Sequence, residues 1–466
     1  MYDYKGRNIA ILGLSLEGCD TAKFLHSRGA VITCADRRSA GELGMAYDVL
    51  SSLGVVFQLG EGYLSHLSDY SMVVRTPGMS PRLPQLVSYK KRGGIVTSLT
   101  KIFFSECHAP IIGVTGTKGK GTTSTLIARM LKTSGCTVYL GGNVGTPLLS
   151  RVDAIRPDDW VVLELSSFQL EDLTQSPHIG VVLATSSEHL ANYDPLATNF
   201  HPTKTAYIEA KKSIVRYQTV NDTLIVNASD PGSLGFARGT KAHVLRFGRS
   251  KKPGIAAYVQ DHAVYVSVPE GGYRKLCDRE SVKLIGDHNL ENIAAASLAA
   301  RSAGATWDAL QQTAASFQGL EHRLEFVRTV RGVTYINDTF STTPETTIAA
   351  IASFVQPLVL IVGGSEKKSD FCAMGRAIAG SRVHTLVVIG DMTERILSSV
   401  KSAGFRGRII TGSASMKEIV SCASDCARPG DVVLLSPACA SFDMFKNYKE
   451  RGLLFKKAVA GIAETV

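Results

Sequence analysis

The stretch GVTGTKGKGTTST at Gly113–Thr125 leaves this chain few architectures to adopt. It follows the apolar pair Ile111-Ile112 and runs into LIARMLKTSG, so a strand, a glycine turn and a helix succeed one another. Gly116, Gly119 and Gly121 allow backbone N–H groups to approach and converge on oxygens, and Lys118 and Lys120 add positive charge. The helix that follows aims its N-terminus at the same point. The spacing departs from the common phosphate loop, G-x-x-x-x-G-K-[ST]. Val114 stands where the first glycine belongs, and Gly121 replaces the hydroxyl residue. The run Thr122-Thr123-Ser124 offers the oxygen ligand for Mg²⁺ that Gly121 lacks. A plain glycine turn with incidental lysines is the rival reading, and the required order of strand, loop and helix speaks against it.

Around this loop, short apolar strands alternate with amphipathic helices, which predicts α/β architecture with parallel sheets. With 466 residues, two to four domains are expected. A first segment has strands at 8–12, 31–35, 55–59, 72–75 and 95–97. Its opening turn, GLSLEG, resembles a dinucleotide fingerprint without the full glycine spacing. Asp36-Arg37-Arg38 follows the second strand, where an acid commonly holds a ribose hydroxyl and arginines suit a phosphate. A second segment holds the loop, a helix expected over 122–134, and strands at 160–164, 179–184 and 223–227. From about Gly232 to Leu284 the chain reads as short antiparallel strands. A third segment begins near Gly319, with strands at 333–337, 358–362, 385–389, 408–410 and 432–435.

The net charge of +10 raises nucleic acid as a partner, but lysines and arginines are scattered and no stacking aromatics accompany them. An enzyme acting on anionic substrates is the better expectation, with no nucleic acid. Nine cysteines without a C-x-x-C pair fit reduced, packed thiols in a cytoplasmic protein. Cys422 and Cys426 lie four apart on an expected helix, and packing is favoured over metal because no third ligand is near in sequence. The N-terminus enters a strand within ten residues, leaving no room for a signal peptide, and no apolar run reaches membrane-spanning length.

The residues G-T-K-G-K at 116–120 resemble the shortened phosphate loop of the Mur ligase family, the ATP-dependent amino-acid-adding enzymes of peptidoglycan synthesis. Seven further blocks follow in family order: GGNVGTP (141–147), ELSSFQLE (164–171), GDHNLENIAAA (286–296), GLEHRLEFV (319–327), YINDTFSTTP (335–344), GGSEKKSDF (363–371) and LLSPACASFDMFKNYKERG (434–452). The resemblance implies three domains: a Rossmann-like UDP-sugar-binding domain (1–99), a P-loop ATPase domain (100–318) and a Rossmann-like amino-acid-binding domain (319–466). The match is most similar to members that add glutamate to UDP-N-acetylmuramoyl-L-alanine. It implies ATP and Mg²⁺ as cofactors, the sugar nucleotide and glutamate as partners, and a monomer away from membranes.

The resemblance also implies roles. Gly116, Thr117, Lys118, Gly119, Lys120, Gly121 and Thr122 cradle ATP, with Lys120 on its terminal phosphates. Glu164 and His189, each after an apolar strand, resemble ligands of Mg²⁺, joined by Thr122 and by Lys211 if that lysine is carbamylated. Carbamylation needs a neutral amine and yields an anionic ligand. Lys212 is the rival lysine, and two lysines on a solvated helix face is the bland alternative. Asn289, Asn292, Arg323 and Asp338 resemble further ATP contacts. Ser15, Leu16, Asp36, Arg37, Thr76 and Gly78 resemble contacts to uridine and diphosphate, with Asn143 and Ser166 nearer the muramoyl end. Lys367, Ser441 and Phe442 resemble the grip on glutamate carboxylates, for which a cation is apt.

Three departures from the family pattern stand out. Gly121 lacks a hydroxyl, Asn192 replaces an acid, and Phe340 replaces a lysine otherwise expected to hold a glutamate carboxylate. D-glutamate is the expected substrate, with L-glutamate as the alternative raised by S-T-T-P at 341–344. A folylpolyglutamate-type ligase and a catalytically idle nucleotide-binding protein are the rivals. The segment before the loop argues against the first, and intact Lys120, Glu164, His189 and Lys211 argue against the second.

Overall fold

In this computed structural model, residues 3–185, 199–365 and 369–464 are described. Three sheets carry the chain in sequence order. The first runs β3-β2-β1-β4-β5, all parallel, from β1 (Asn8–Leu12), β2 (Val31–Asp36), β3 (Val56–Leu59), β4 (Met72–Arg75) and β5 (Ile95–Ser98). Ile9, Ala10, Ile11 and Leu12 are all fully buried, as a central parallel strand covered on both faces requires. The strand order reverses between β1 and β4, so the turns after these two strands share the crevice where such sheets bind ligands.

The second sheet is larger. Its strands are β6 (Ile111–Thr115), β7 (Val138–Gly142), β8 (Trp160–Glu164), β9 (Ile179–Val182), β10 (Thr223–Asn227), β11 (His243–Gly248), β12 (Ala257–Gln260), β13 (Ala263–Ser267) and β14 (Tyr273–Asp278). The order is β14-β13-β12-β11-β10-β9-β6-β8-β7. β6 therefore lies between β9 and β8, and the glycine loop after β6 shares the carboxyl edge with the end of β8. The third sheet, β15-β16-β20-β17-β18-β19, uses β15 (Glu325–Val330), β16 (Val333–Asn337), β17 (Leu358–Gly363), β18 (Val383–Ile389), β19 (Arg408–Ile410) and β20 (Val432–Leu435). Only its edge strand β15 is antiparallel.

The chain divides into two compact units. One comprises Met1–Ser281 with Leu290–Ala315, the other Val282–Asn289 with Ser316–Val466. The first unit thus holds two of the sheets and the second unit holds the third.

The structure amends several sequence expectations. The loop helix spans Lys120–Thr133 and starts two residues early, because Gly119 takes a left-handed φ of 85° and completes the turn before it. β11 is parallel to β10 and to β12, so the 232–284 region extends the parallel sheet before turning antiparallel at β13 and β14. β7 was not anticipated, its glycine-rich end (Gly141-Gly142) masking a short strand. All nine cysteines are free, but only Cys34, Cys277 and Cys439 are buried; Cys372 is exposed and the other five are half-buried, so fewer are packed away than the sequence suggested. The described residues hold no cluster of three or more His, Cys, Asp or Glu fit for a metal. No described helix is long and apolar enough to cross a membrane.

Candidate active site

The loop after β6 is close-packed. A Cβ on Gly119 would lie 2.4 Å from Asn292 Oδ1, and one on Gly116 would lie 2.7 Å from Leu183 Cβ. Glycine is therefore required by contact as well as by the φ values of 147° and 85°. The Thr117 amide donates to Ala184 O at 2.8 Å, tying the loop to the end of β9. Lys120 Nζ donates to Gly116 O at 3.1 Å and to Thr117 O at 2.8 Å, which keeps the ammonium on the loop. Lys118 is exposed. No acid occupies the first turn of the following helix, so nothing there opposes an anion at its N-terminus.

The hydroxyls after the loop are not equivalent. Thr123 donates to Asn292 Oδ1 at 3.4 Å and Ser124 to Gly121 O at 3.1 Å, and both are fully buried. Thr122 is only partly buried, so it is the hydroxyl of this run best placed to meet a ligand.

Glu164 ends β8 and is 4% exposed. Its Oε2 is buried and has no hydrogen-bond partner among the described residues. A buried carboxylate oxygen without a donor is costly unless a cation or proton meets it. Mg²⁺ prefers such hard oxygen donors, so the carboxylate fits that ion.

Lys211 and Lys212 separate cleanly. Lys212 is half exposed and pairs with Glu209 at 2.8 Å. Lys211 is 1% exposed, and its Nζ donates to Thr115 Oγ1 at 3.1 Å and Gly116 O at 3.2 Å. It also lies 4.6 Å from the Tyr207 ring centroid. Tyr207 OH in turn lies 3.1 Å from Thr117 Oγ1. The helix Lys204–Lys211 thus brings Lys211 and Tyr207, four apart on one face, beneath the loop. Thr115 and Tyr207 were missed from the sequence; the four-residue spacing of Tyr207 from Lys211 was the available signal. His189 and Asn192 lie outside the described residues.

In the first sheet, Gly13 has φ 91°, and a Cβ there would meet Thr76 Oγ1 at 2.4 Å. The two expected substrate turns are therefore in contact. Thr76 Oγ1 donates to Leu12 O at 3.0 Å. Asp36 accepts from the Leu14 amide at 2.8 Å and pairs with Arg38 at 2.8 Å. Burial pushes this carboxyl upward, but the Arg38 side chain and the Arg38 and Leu14 amides outweigh it and hold Asp36 below its ordinary range. Asp36 therefore shapes the turn itself. Ser15 and Leu16 are exposed at the start of the helix Leu16–Ser27, and the Ser15 hydroxyl does not cap it. The Ser166 hydroxyl accepts from the Gln169 amide at 3.2 Å in a capping box. Asn143 is exposed, its amide donating to Glu164 O at 3.1 Å.

In the second unit, Asp338 follows β16 and accepts from Ser436 Oγ at 2.8 Å and the Leu324 amide at 3.1 Å. Burial pushes its carboxyl up to about 6 despite these bonds. The Arg323 guanidinium lies over the Phe340 ring, 3.8 Å from its centroid. The residue standing in place of the expected lysine thus holds another cation on its face. Asn289 donates to Ile285 O at 2.8 Å. Ser441 is buried and Phe442 is 73% exposed; Lys367 lies outside the described residues. Arg451, also missed, is fully buried and donates to Thr339 Oγ1 at 2.8 Å and to the carbonyls of Thr339, Cys439 and Ala440. It braces the loops that carry Asp338 and Ser441.

Two family models match the chain: the Mur ligase middle domain over residues 114–300 and the Mur ligase glutamate ligase domain over 322–439. Among curated relatives, the UDP-N-acetylmuramoylalanine–D-glutamate ligase of Symbiobacterium thermophilum is 40% identical, over 97% of this chain and 98% of its own length. The enzyme of the same name from Acetivibrio thermocellus is 37% identical over 98% and 97%. Among solved structures, UDP-N-acetylmuramate-alanine ligase MurC of Thermotoga maritima shares the fold at a TM-score of 0.62. It is 17% identical and covers 97% of this chain and 99% of its own. E. coli FolC in complex with ADP reaches 0.55 at 17% identity, covering 78% of this chain and 92% of its own. With relatives of this identity along almost its whole length, the chain belongs to the Mur ligase family.

Proposed function

We propose that this protein is an ATP-dependent, ADP-forming ligase that joins D-glutamate to UDP-N-acetylmuramoyl-L-alanine in the assembly of peptidoglycan precursors. The carrying observation is the grouping at one sheet edge: half-buried Lys120 and buried Lys211 on the Gly116 carbonyl, with the partnerless Glu164 oxygen at the end of the neighbouring strand. A carboxylate does not condense with an amine in water, so it must first gain a leaving group. The γ-phosphoryl group of ATP passes to the alanine carboxylate and ADP departs. The glutamate amine then attacks the acyl phosphate, loses a proton and expels inorganic phosphate.

The chain's residues suit these steps. The Gly116–Gly121 amides and Lys120 hold and neutralise the phosphates. Mg²⁺ would be held by Glu164 and Thr122, with His189 as the family pattern has it, and would supply charge neutralisation between phosphate and carboxylate. As an ammonium Lys211 can only donate; as a carbamate it would offer anionic oxygens to the metal. Asn292 backs the loop at Gly119, and Asn289, Arg323 and Asp338 serve ATP. Ser15, Leu16, Arg37, Thr76 and Gly78 serve the uridine diphosphate, Asn143 and Ser166 the muramoyl end, and Lys367, Ser441 and Phe442 the glutamate. The domains run 1–99, 100–318 and 319–466, and the protein acts as a cytoplasmic monomer.

A second reading, transfer of L-glutamate, is favoured by one observation: Phe340 offers a ring to Arg323 where a cation for the substrate carboxylate was expected. Phosphate release assayed with both glutamate enantiomers decides between them. The proposal expects release only when ATP, UDP-N-acetylmuramoyl-L-alanine and D-glutamate are all present. Turnover with L-glutamate alone supports the second reading, and turnover with pteroate derivatives alone overturns both.

A further inference from the structure

The residues directly after Glu164 reach across to the first sheet at three successive points. Gln169 Nε2 donates to Glu17 Oε1 at 3.0 Å, at the head of the helix that follows β1. Glu171 pairs with Arg82. Asp172 pairs with Arg75 Nη2 at 3.0 Å and accepts from Ser98 Oγ at 2.9 Å. Arg75 is the last residue of β4 and is fully buried, in a strand whose neighbours are apolar. Burying a guanidinium is costly, and the cost is offset only by close partners. Arg75 has them on both sides: Met79 O at 3.1 Å in its own segment, and Phe168 O at 3.4 Å beside Asp172.

Asn199 adds a fourth tie from the same side. Its Nδ2 donates to Pro77 O at 2.9 Å, and its Oδ1 accepts from Arg82 Nη2 at 3.3 Å. Asn199 is 4% exposed. The turn at Thr76-Pro77-Gly78 is therefore gripped before, within and after by groups belonging to the ATP-side sheet. Neither arginine was marked by any sequence motif.

We propose that the Phe168 carbonyl, Glu171, Asp172 and Asn199 form a polar latch on residues 75–82, and that Arg75 and Arg82 are positioning residues. They set the sugar-nucleotide turn in register with the carboxylate of Glu164. The latch fixes where the far end of the substrate starts, and so where its reacting carboxylate arrives relative to the phosphate loop. Small misplacements of this kind cost reactivity steeply. This inference rests on the ligase reading for its substrate, though not for its geometry.

Two variants test it, Arg82→Met on the half-exposed arm and Asp172→Asn, which keeps an acceptor for Ser98. Each should raise KM for UDP-N-acetylmuramoyl-L-alanine and lower kcat, each by about tenfold, while the Kd for ATP stays within about twofold. The double variant should cost less than the product of the two, because both break one latch. Hydrogen exchange of the ligand-free protein should quicken at residues 76–82 in Arg82→Met and stay unchanged at 113–125. Unchanged KM together with unchanged exchange would overturn the latch, as would a uniform loss of ATP affinity, which marks general destabilisation. If wild-type protein fails to ligate the sugar nucleotide while exchange still quickens at 76–82, the substrate assignment falls and the latch stands.

Discussion

Two glycine turns in the same unit join a parallel strand to a helix, one after β1 and one after β6, and they handle charge in opposite ways. The turn after β6 brings Lys118 and Lys120 to a helix whose first turn lacks any acid. The turn after β1 places Glu17 in the first helical turn, and Asp36 occupies its Leu14 amide. Strand, glycine turn and helix are thus a shared frame. What makes a phosphate cradle is which charges and which free amides the frame presents.

The comparison breaks most sharply at Lys120. Lys120→Ala should reduce ATP-dependent phosphate release by about a thousandfold, since the loop would keep its glycines and the exposed Lys118 but lose the ammonium held on its carbonyls. Retained turnover would return this turn to the rank of its counterpart after β1. Lys211→Ala should cost about a hundredfold, and added short carboxylic acids should restore part of the rate. Unaltered turnover would remove the carbamate. Gly119→Ala tests contact rather than charge. Its Cβ would press on Asn292 Oδ1 at 2.4 Å from a left-handed backbone, so ATP affinity should fall about tenfold in calorimetry.

Glu17 sharpens the other side of the comparison. Burial is the main cause that pushes its carboxyl up to about 7, aided by the Asp20 charge and opposed by Gln169. Below pH 4.5 the carboxyl is protonated in folded and unfolded chains alike. As pH rises toward 7 the unfolded chain ionises first, so stability is lost across that window. Glu17→Gln should flatten the urea-derived stability between pH 4.5 and 7 by about 3 kcal/mol. Parallel profiles for the two proteins would show that Glu17 is solvated.

The smallest expected effect belongs to Tyr207→Phe. It removes one hydroxyl from Thr117 and leaves the ring beside Lys211, so KM for ATP should rise about fivefold. An unchanged KM would show that Thr117 does not need this tie.

The alternation of apolar runs was enough to read the α/β class and most strands of the three sheets, because burial on both faces writes itself as continuous Val, Ile and Leu. It failed at β7, where two glycines hid the strand, at the edge strand β15, and at β11, whose parallel pairing with its sequence neighbours β10 and β12 depends on how the connections cross over rather than on any local pattern. The glycine loop and Glu164 were legible because each sits at a strand end within one short motif. Lys211 was preferred to the adjacent Lys212 only through the family resemblance, since nothing local in the sequence distinguishes the two. The structure gives that preference a physical basis, with Lys211 buried beside Thr115 and Lys212 solvated.

The local sequence determined where phosphate chemistry can occur, since a strand, a turn and a helix N-terminus need only neighbours to form. Tertiary structure alone decided which polar groups are spent and which remain open. Thr123 and Ser124 are consumed by Asn292 and Gly121, Thr122 is not, and Arg75 finds Asp172 nearly a hundred residues away. A side chain's desolvation and its partners depend on what packs against it, and distant segments supply both.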